Sequence, residues 1–124
     1  MNSGTKNTDR LEIGFGISVV VPVYRSESTL SALHMRLVDA LKDVSPVFEI
    51  ILVDDCSGDG SWLEIERLAS TDSRVSGIRL SRNYGQHNAI LCGVRAAQYT
   101  MVVTIDDDLQ NPPEEISKLL AKLD

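Results

Sequence analysis

The stretch "FEIILVDDCSGDGSWLEIERLAS", residues 48–70, decides the fold because it joins a strand to a helix through an acidic turn. Residues 48–54 are mostly aliphatic, which is typical of a strand buried on both faces. Residues 59–70 place apolar side chains at helical spacing, and Ser61 with Glu64 predicts a capping box at the helix start. A strand followed by a helix is the repeating unit of a parallel sheet.

The same unit recurs on both sides of this stretch. Further strands are predicted over 17–23, 76–81 and 101–106, and further helices over 28–44, 86–97 and 112–123. Strand and helix therefore alternate four times, which predicts an α/β fold with a largely parallel, Rossmann-like sheet and helices on both faces. Residues 1–16 are polar and glycine-containing and predict a flexible tail, so the expected domain spans 17–124.

Composition excludes several classes of protein. The chain has 124 residues and a formal net charge of -6, so nucleic acid is not an expected partner, since binding it needs a basic face. An acidic protein that handles phosphates needs a cation as intermediary. Cys56 and Cys92 have no metal-ligand spacing and indicate a reducing compartment, and no apolar run is long enough to span a membrane. The sequence predicts a cytoplasmic location.

Polar and aromatic residues follow each predicted strand. Ligands of parallel sheets bind at the carboxyl ends of the strands, so these residues are candidates for a site. They are Pro22, Tyr24 and Arg25 after the first strand, Asp54 and Asp55 after the second, Arg82, Asn83 and Tyr84 after the third, and Asp106 to Asp108 after the fourth.

Three consecutive aspartates end the fourth predicted strand. In an extended chain Asp106 and Asp108 share one face, whereas Asp107 points away. Two carboxylates roughly 6–7 Å apart along a strand can jointly hold a hard divalent cation that also binds diphosphate oxygens. The alternative is an exposed acidic turn, and the spacing alone leaves both interpretations open.

Other acidic and amide residues also allow two interpretations, one functional and one structural. Asp54 and Asp55 stand where an acid commonly accepts hydrogen bonds from a nucleotide's ribose or base, but "DDCSGDG" is also rich in turn formers. Asn111 and Glu114 fit the N-cap and capping-box partner of the last helix. Gln110 remains undecided from the residues alone.

Three rival classes fit poorly. A signalling receiver domain and a haloacid-dehalogenase-type phosphatase both carry their acids after the first strand. A dinucleotide-dependent dehydrogenase needs G-x-G-x-x-G after that strand, where this chain reads "PVYRSE".

Four segments in order, "VVVPVY", "ILVDDCSGDGS", "RNYGQHNAI" and "DDDLQNPPEEI", resemble the N-terminal half of a family 2 glycosyltransferase with the GT-A fold. The polyprenyl-phosphate glycosyltransferases are most similar, among them the dolichol-phosphate mannose synthases and the bacterial undecaprenyl-phosphate 4-deoxy-4-formamido-arabinose transferases. The resemblance runs from about Ile17 to Asp124. A D-x-D alone is weak evidence, whereas "DDDLQNPPEE" together with "RNYGQH" is specific.

The resemblance implies roles for particular residues. For the donor nucleotide it implies contacts from Pro22, Tyr24, Glu27, Asp54, Asp55, Arg82 and Asp106. For a bound Mg²⁺ or Mn²⁺ it implies Asp106, Asp108 and Gln110 as ligands, with Asp108 as the catalytic residue. The family pattern P-x-Y-N-E is not kept, since Arg25 and Ser26 replace its asparagine and glutamate and Glu27 comes one place late. Its usual Gly-Asp before the fourth strand is also replaced, by Tyr99 and Thr100.

The activity that the resemblance implies is inverting, metal-dependent transfer of a sugar from a UDP- or GDP-sugar to a polyprenyl phosphate of the undecaprenyl type. This chain would be the truncated donor- and metal-binding half of a protein at the cytoplasmic face of the inner membrane, with homo-oligomer formation left open. The alternatives are a nucleotide-binding fragment without turnover and a family 2 transferase with a polysaccharide acceptor.

Overall fold

The computed structural model describes residues 16–108, which form one parallel sheet with helices between its strands. The strands are β1 (Ile17–Val23), β2 (Phe48–Asp54), β3 (Val75–Arg79) and β4 (Met101–Thr104), and the helices are α1 (Leu30–Lys42), α2 (Ser61–Thr71) and α3 (Gln86–Ala96). The strand order is β3-β2-β1-β4 and every pairing is parallel. The predicted α/β class is confirmed. The predicted tail, apart from Gly16, and the predicted helix over 112–123 lie outside the described residues.

Helices cover both faces of the sheet because the central strands are apolar on both sides. Val19 and Val21 of β1 belong to a core cluster that also contains leucines of α1 and Ile65 of α2. Val20 faces the opposite way and joins a second cluster with residues of β2 and with Ala89 of α3. Each such buried aliphatic side chain stabilises the fold by about 1.5–3 kcal/mol. Within residues 16–108, no helix is both long and apolar enough to cross a bilayer.

Helix α3 lies close to the centre of the sheet, and a glycine permits this approach. A Cβ at Gly93 would overlap the side chain of Val20 and lie 3.1 Å from Cγ2 of Val53. The small residue therefore lets the helix backbone pack directly on β1 and β2.

Strand β4 ends at Thr104, two residues before the predicted end at Asp106, and that prediction was wrong. Val20 of β1 pairs with Thr104, and the N–H of Ile105 donates to the carbonyl of Val20 at 3.2 Å. The next β1 residue whose backbone faces β4 is Pro22, which has no N–H to donate. The ladder therefore stops here, and the chain from Ile105 onward leaves the sheet.

The capping box predicted for Ser61 and Glu64 was also wrong. The N-cap position of α2 is Gly60, and the Ser61 N–H donates to Oδ1 of Asp59 at 2.9 Å. Glu64 instead accepts a hydrogen bond from Nε of Arg67 at 3.0 Å, which lowers the pKa of the Glu64 carboxyl. The Ser61 hydroxyl is thereby left to act as an acceptor for another part of the chain.

A buried acid at the amino edge of the sheet accepts hydrogen bonds from neighbouring segments. Glu49, in β2, is 7% exposed and accepts hydrogen bonds from Oγ of Ser18 at 2.7 Å and from the backbone N–H of Gln98 at 2.6 Å. The Gln98 side-chain amide donates to the second Glu49 oxygen at 3.1 Å, and the N–H of Tyr99 donates to Oγ of Ser18 at 3.2 Å. This network fixes the turn between α3 and β4 against the two central strands.

Candidate functional site

A cleft of about 290 Å³ opens at the carboxyl edge of the sheet. Residues that follow three of the strands line it, together with the loop before α3: Pro22, Val23, Tyr24, Asp55, Asn83, Gly85, Gln86, Asp106, Asp107 and Asp108. The parallel topology brings these segments to one edge, as binding sites of α/β sheets require.

The cleft has a strongly one-sided charge. Four of its lining residues are aspartates, and of the described residues that line it none is Lys, Arg or His. Four carboxylates around one opening repel one another unless hydrogen-bond donors or a cation offset the charge. How each acid is held therefore indicates what the cleft can bind.

The loop between β1 and α1 is held through its backbone. Arg25 has a positive φ of 52°, and its N–H donates to Oγ of Ser57 at 2.9 Å. The N–H of Ser26 donates to Oγ of Ser61, also at 2.9 Å. Tyr24 is 45% exposed at the mouth of the cleft, with the Arg25 guanidinium 5.2 Å from its ring centroid. An exposed aromatic ring at this place can pack against a flat ligand.

The two acids after β2 have different surroundings. Asp54 is 1% exposed, and its Oδ1 accepts hydrogen bonds from both the backbone N–H and the hydroxyl of Ser57. Asp55 lines the cleft, and its carboxylate accepts the N–H groups of Tyr84 at 2.8 Å and Gly85 at 3.0 Å. Asp55 thus orders the loop before α3, where Gly85 has a φ of 93° that an L-residue rarely adopts.

The three aspartates at 106–108 lie beyond the end of β4. The alternation of side chains along an extended strand therefore does not describe which way they point. All three aspartates line the cleft. Asp106 Oδ1 accepts a hydrogen bond from Nε2 of Gln86 at 3.0 Å. Asp107 accepts the N–H of Tyr24 at 2.9 Å and the hydroxyl of Ser26. The middle acid is therefore bonded to the β1–α1 loop.

The donor set fits a hard cation bound jointly with a ligand. Within residues 16–108, no three Asp, Glu, His or Cys side chains are arranged to hold a metal ion by themselves. Mg²⁺ is commonly held by one or two carboxylates, with substrate phosphates and water completing its shell. Asp106 and Asp108 can supply those carboxylates at an opening that lacks basic side chains among its described residues. Gln110, the third predicted ligand, lies outside the described residues.

The structure brings some of the predicted donor residues to the cleft and places others beside it. Four of the seven predicted donor residues, Pro22, Tyr24, Asp55 and Asp106, line the cleft, and so does Asp108, which was predicted as a metal ligand and catalytic residue. The remaining three have other contacts in the described structure: Glu27 Oε1 accepts the N–H of Gly60 at 3.2 Å, Asp54 bonds to Ser57, and the Arg82 guanidinium lies 5.7 Å from the centroid of the Tyr84 ring.

Sequence reasoning missed the contact between Ser26 and Asp107. Ser26 was noted only as a departure from a pattern, and Asp107 only as the acid that points away. The sequence did contain a signal for this contact. Ser26 and Asp107 both follow predicted strands, and the carboxyl ends of parallel strands lie at one edge of the sheet.

The fold and the cleft together define an α/β protein of the kind that binds ligands at the carboxyl edge of a parallel sheet. Residues 18–124 match the sequence model of the family described as glycosyl transferase family 2. The chain belongs to this family, as its sequence motifs indicated.

Two curated relatives of the chain share one name. A protein of Aeromonas hydrophila named undecaprenyl-phosphate 4-deoxy-4-formamido-L-arabinose transferase is 48% identical over 105 residues, covering 84% of this chain and 32% of that protein. A protein of Shewanella sediminis with the same name is 47% identical over 107 residues, covering 86% and 32%. The chain thus spans about a third of the length of the curated relatives it matches.

Solved structures share the fold. TarS of S. aureus, residues 1-349 in complex with UDP, is 25% identical with a TM-score of 0.64, covering 76% of this chain and 28% of that one. A mannosyltransferase of Pyrobaculum calidifontis, in complex with GDP-Man and Mn2+, is 21% identical with a TM-score of 0.70, covering 84% and 31%. The predicted GT-A type of α/β layer is confirmed by these similarities.

Proposed function

We propose that this chain binds the nucleotide-sugar donor in a glycosyltransferase that passes a sugar to a polyprenyl phosphate of the undecaprenyl type, with a divalent cation and with inversion. The observation that carries the proposal is the acidic cleft at the carboxyl edge, whose described lining holds four aspartates and no basic side chain. The family and the names of the curated relatives support the acceptor.

The donor contacts follow from the cleft's own residues. Tyr24 offers an exposed ring for the base or sugar, and UDP is favoured as the nucleotide because TarS, a 25% identical structure, binds it. Asp55 holds the loop before α3, and Asn83 of that loop and Gln86 at the start of α3 bring amide side chains to the lining of the cleft. Glu27, Asp54 and Arg82 stay predictions as donor contacts.

Asp106 and Asp108 would hold Mg²⁺ or Mn²⁺, with Gln110 as a predicted further ligand. When bound, the cation would offset the negative charge of the departing nucleoside diphosphate. Without it, a diphosphate would face four carboxylates directly. The acidic cleft therefore fits the donor only when a cation is bound between the carboxylates and the diphosphate.

The transfer itself needs no general base from this chain. An oxygen of the acceptor phosphate, already ionised near neutral pH, forms a bond to the anomeric carbon as the bond from that carbon to the diphosphate oxygen breaks. Direct displacement inverts the anomeric centre. What the protein supplies is positioning of the two reactants and stabilisation of the leaving group.

Isothermal titration of the chain with UDP and with GDP, in MnCl₂ and in EDTA, tests donor binding. We expect UDP to bind in Mn²⁺ and not in EDTA. Binding that is equally tight in EDTA would contradict the role of the cation, and absence of binding in Mn²⁺ would contradict the donor role. A radiolabelled UDP-sugar assay with undecaprenyl phosphate, on this chain and with a full-length curated relative as the positive control, then distinguishes transfer from binding without turnover. A polysaccharide acceptor in a parallel reaction tests the alternative acceptor.

A further inference from the structure

The middle acid of the triplet makes three contacts with the β1–α1 loop. The Asp107 carboxylate accepts the N–H of Tyr24 at 2.9 Å and the hydroxyl of Ser26, both through Oδ2. The Asp107 backbone carbonyl accepts the hydroxyl of Thr29 at 2.9 Å. Both the side chain and the backbone of Asp107 are thus fixed to one loop.

That loop is itself anchored on its other side. Ser26 donates its N–H to Oγ of Ser61 at 2.9 Å, and its carbonyl accepts the N–H of Leu30 at the start of α1 at 3.2 Å. The N–H of Asp55 donates to the carbonyl of Val23 at 2.9 Å. A continuous series of hydrogen bonds therefore runs from Ser61 at the start of α2, through Ser26, to Asp107.

The neighbours of Asp107 lie beyond the end of β4, so this series is one of the contacts that fix the segment they share. The β1–β4 ladder stops at Ile105, since Pro22 cannot donate the next hydrogen bond. The Asp107 carboxylate bonds to the β1–α1 loop, and the Asp106 carboxylate accepts a hydrogen bond from Gln86 at the start of α3. The bonds of Asp107 thus help to set where Asp106 and Asp108 stand relative to Tyr24.

We propose that Asp107 is a positioning residue of the donor site, acting through Asp106 and Asp108 without binding the cation itself. This inference rests on the proposed function. It also explains the departure at position 26, where the family pattern has a glutamate. A glutamate there would place a second carboxylate against Asp107, whereas the serine hydroxyl donates a hydrogen bond to it.

Asparagine and alanine at position 107 separate positioning from direct ligation. The amide oxygen of Asn can accept both hydrogen bonds that Oδ2 accepts now, so Asp107→Asn keeps the loop contact while removing the charge. Asp107→Ala removes both. Loss of a residue that orients cation ligands typically costs about 10–100-fold in affinity, so we expect Asp107→Ala to weaken UDP binding in Mn²⁺ about tenfold. We expect Asp107→Asn to weaken it less than about threefold.

Hydrogen exchange at the Tyr24 amide, followed by NMR in the chain without nucleotide or metal, supplies a readout that does not depend on the donor. Protection at Tyr24 should persist in Asp107→Asn and be lost in Asp107→Ala, with melting temperatures recorded for both. Should Asp107→Ala not fold, Ser26→Ala removes one of the two donors and should give a smaller change in the same direction.

The outcomes separate the two claims. If the unsubstituted chain does not bind UDP in Mn²⁺, the proposed function fails, whatever the variants do. If the chain binds UDP but Asp107→Asn loses as much affinity as Asp107→Ala, Asp107 acts through its charge and the positioning role is overturned. Unchanged binding in folded Asp107→Ala, or unchanged Tyr24 exchange, overturns it as well.

Discussion

The amino edge of the sheet and its carboxyl edge both carry carboxylates that accept backbone N–H groups. At the amino edge, Glu49 is 7% exposed and is bonded to Ser18 and Gln98. Asp72, just before β3, bonds to Nε of Arg74 at 2.9 Å and to Nε2 of His34 at 2.8 Å. Each of these acids is matched by donors or cations of the protein itself.

At the carboxyl edge four acids lie together around one opening. Asp55 and Asp107 accept backbone N–H groups, yet both still line an open cleft with Asp106 and Asp108. Carboxylates are thus bonded to donors of the protein at one edge of the sheet, and they line an open cleft at the other. The difference teaches that a hydrogen-bonded carboxylate can serve the fold alone, and that a candidate ligand site is indicated where several acids gather around an opening whose described lining has no basic side chain.

Removing the buried acid of the amino edge should have the largest effect. Glu49→Ala leaves the Ser18 hydroxyl and the Gln98 N–H without their acceptor, and each unsatisfied buried group costs about 1–3 kcal/mol. We expect the free energy of unfolding in urea to fall by about 3 kcal/mol. Glu66→Ala, at an exposed position of α2, is the control and should change it by less than about 0.5 kcal/mol. A stable Glu49→Ala protein would mean that this network is not required.

An acid of the carboxyl edge should show the opposite behaviour. Asp108→Asn removes a proposed cation ligand, so we expect UDP affinity in Mn²⁺ to fall about 30-fold, or about 2 kcal/mol. The urea midpoint should stay nearly unchanged, because Asp108 is exposed. Titration calorimetry of Asp108→Asn and Asp107→Asn side by side checks this. Equal losses from the two substitutions would contradict the different roles given to neighbouring acids.

The smallest expected effect is on the free energy of unfolding at acidic pH, to which Asp72 contributes. Hydrogen bonds from Arg74 are the main cause that lowers the pKa of Asp72, and His34 adds to them, while partial burial opposes the shift. Because the folded pKa lies below the ordinary value, Asp72 stabilises the protein at neutral pH. That contribution declines as the pH falls below about 4 toward the folded value.

Asp72→Asn should therefore cost about 1 kcal/mol at pH 7 and little at low pH. Urea unfolding between pH 7 and pH 2 measures the difference, which should shrink progressively below about pH 4. Asp39→Asn is the matched control, since Asp39 is 73% exposed and pairs with Lys42 on the surface of α1. A parallel offset at every pH would show that Asp72 acts through its shape and not through its charge.

Periodicity predicted the order of strands and helices and the edge at which the site lies. The order of strands and helices depends on neighbours within a few residues of the sequence. The edge was predictable because the family motifs follow the strands, at their carboxyl ends. Boundaries that depend on another segment were missed. The end of β4 is determined by Pro22 on a different strand, and the role of Ser61 by the N–H of Ser26, 35 positions away.

The hydrogen-bonded roles of acids were also beyond local reasoning. Glu49 occupies an ordinary place in an apolar strand, and nothing beside it in the sequence identifies Ser18 and Gln98 as its partners. Asp107 was assigned an outward direction because the chain was expected to stay extended through the three aspartates. Tertiary contacts, and not the local pattern, decide which partners each acid of the triplet has.

The hydrogen bond from Tyr24 to Asp107 joins residues 83 positions apart, and this separation bears on the kinetics of folding. Parallel pairing of distant segments forms slowly, since a long loop must close before any contact stabilises it. We expect β1 and β2 to pair early and the cleft to be completed last. A ligand that bridges the cleft would then slow unfolding without speeding refolding, a result that stopped-flow measurements in urea with and without UDP and Mn²⁺ would reveal.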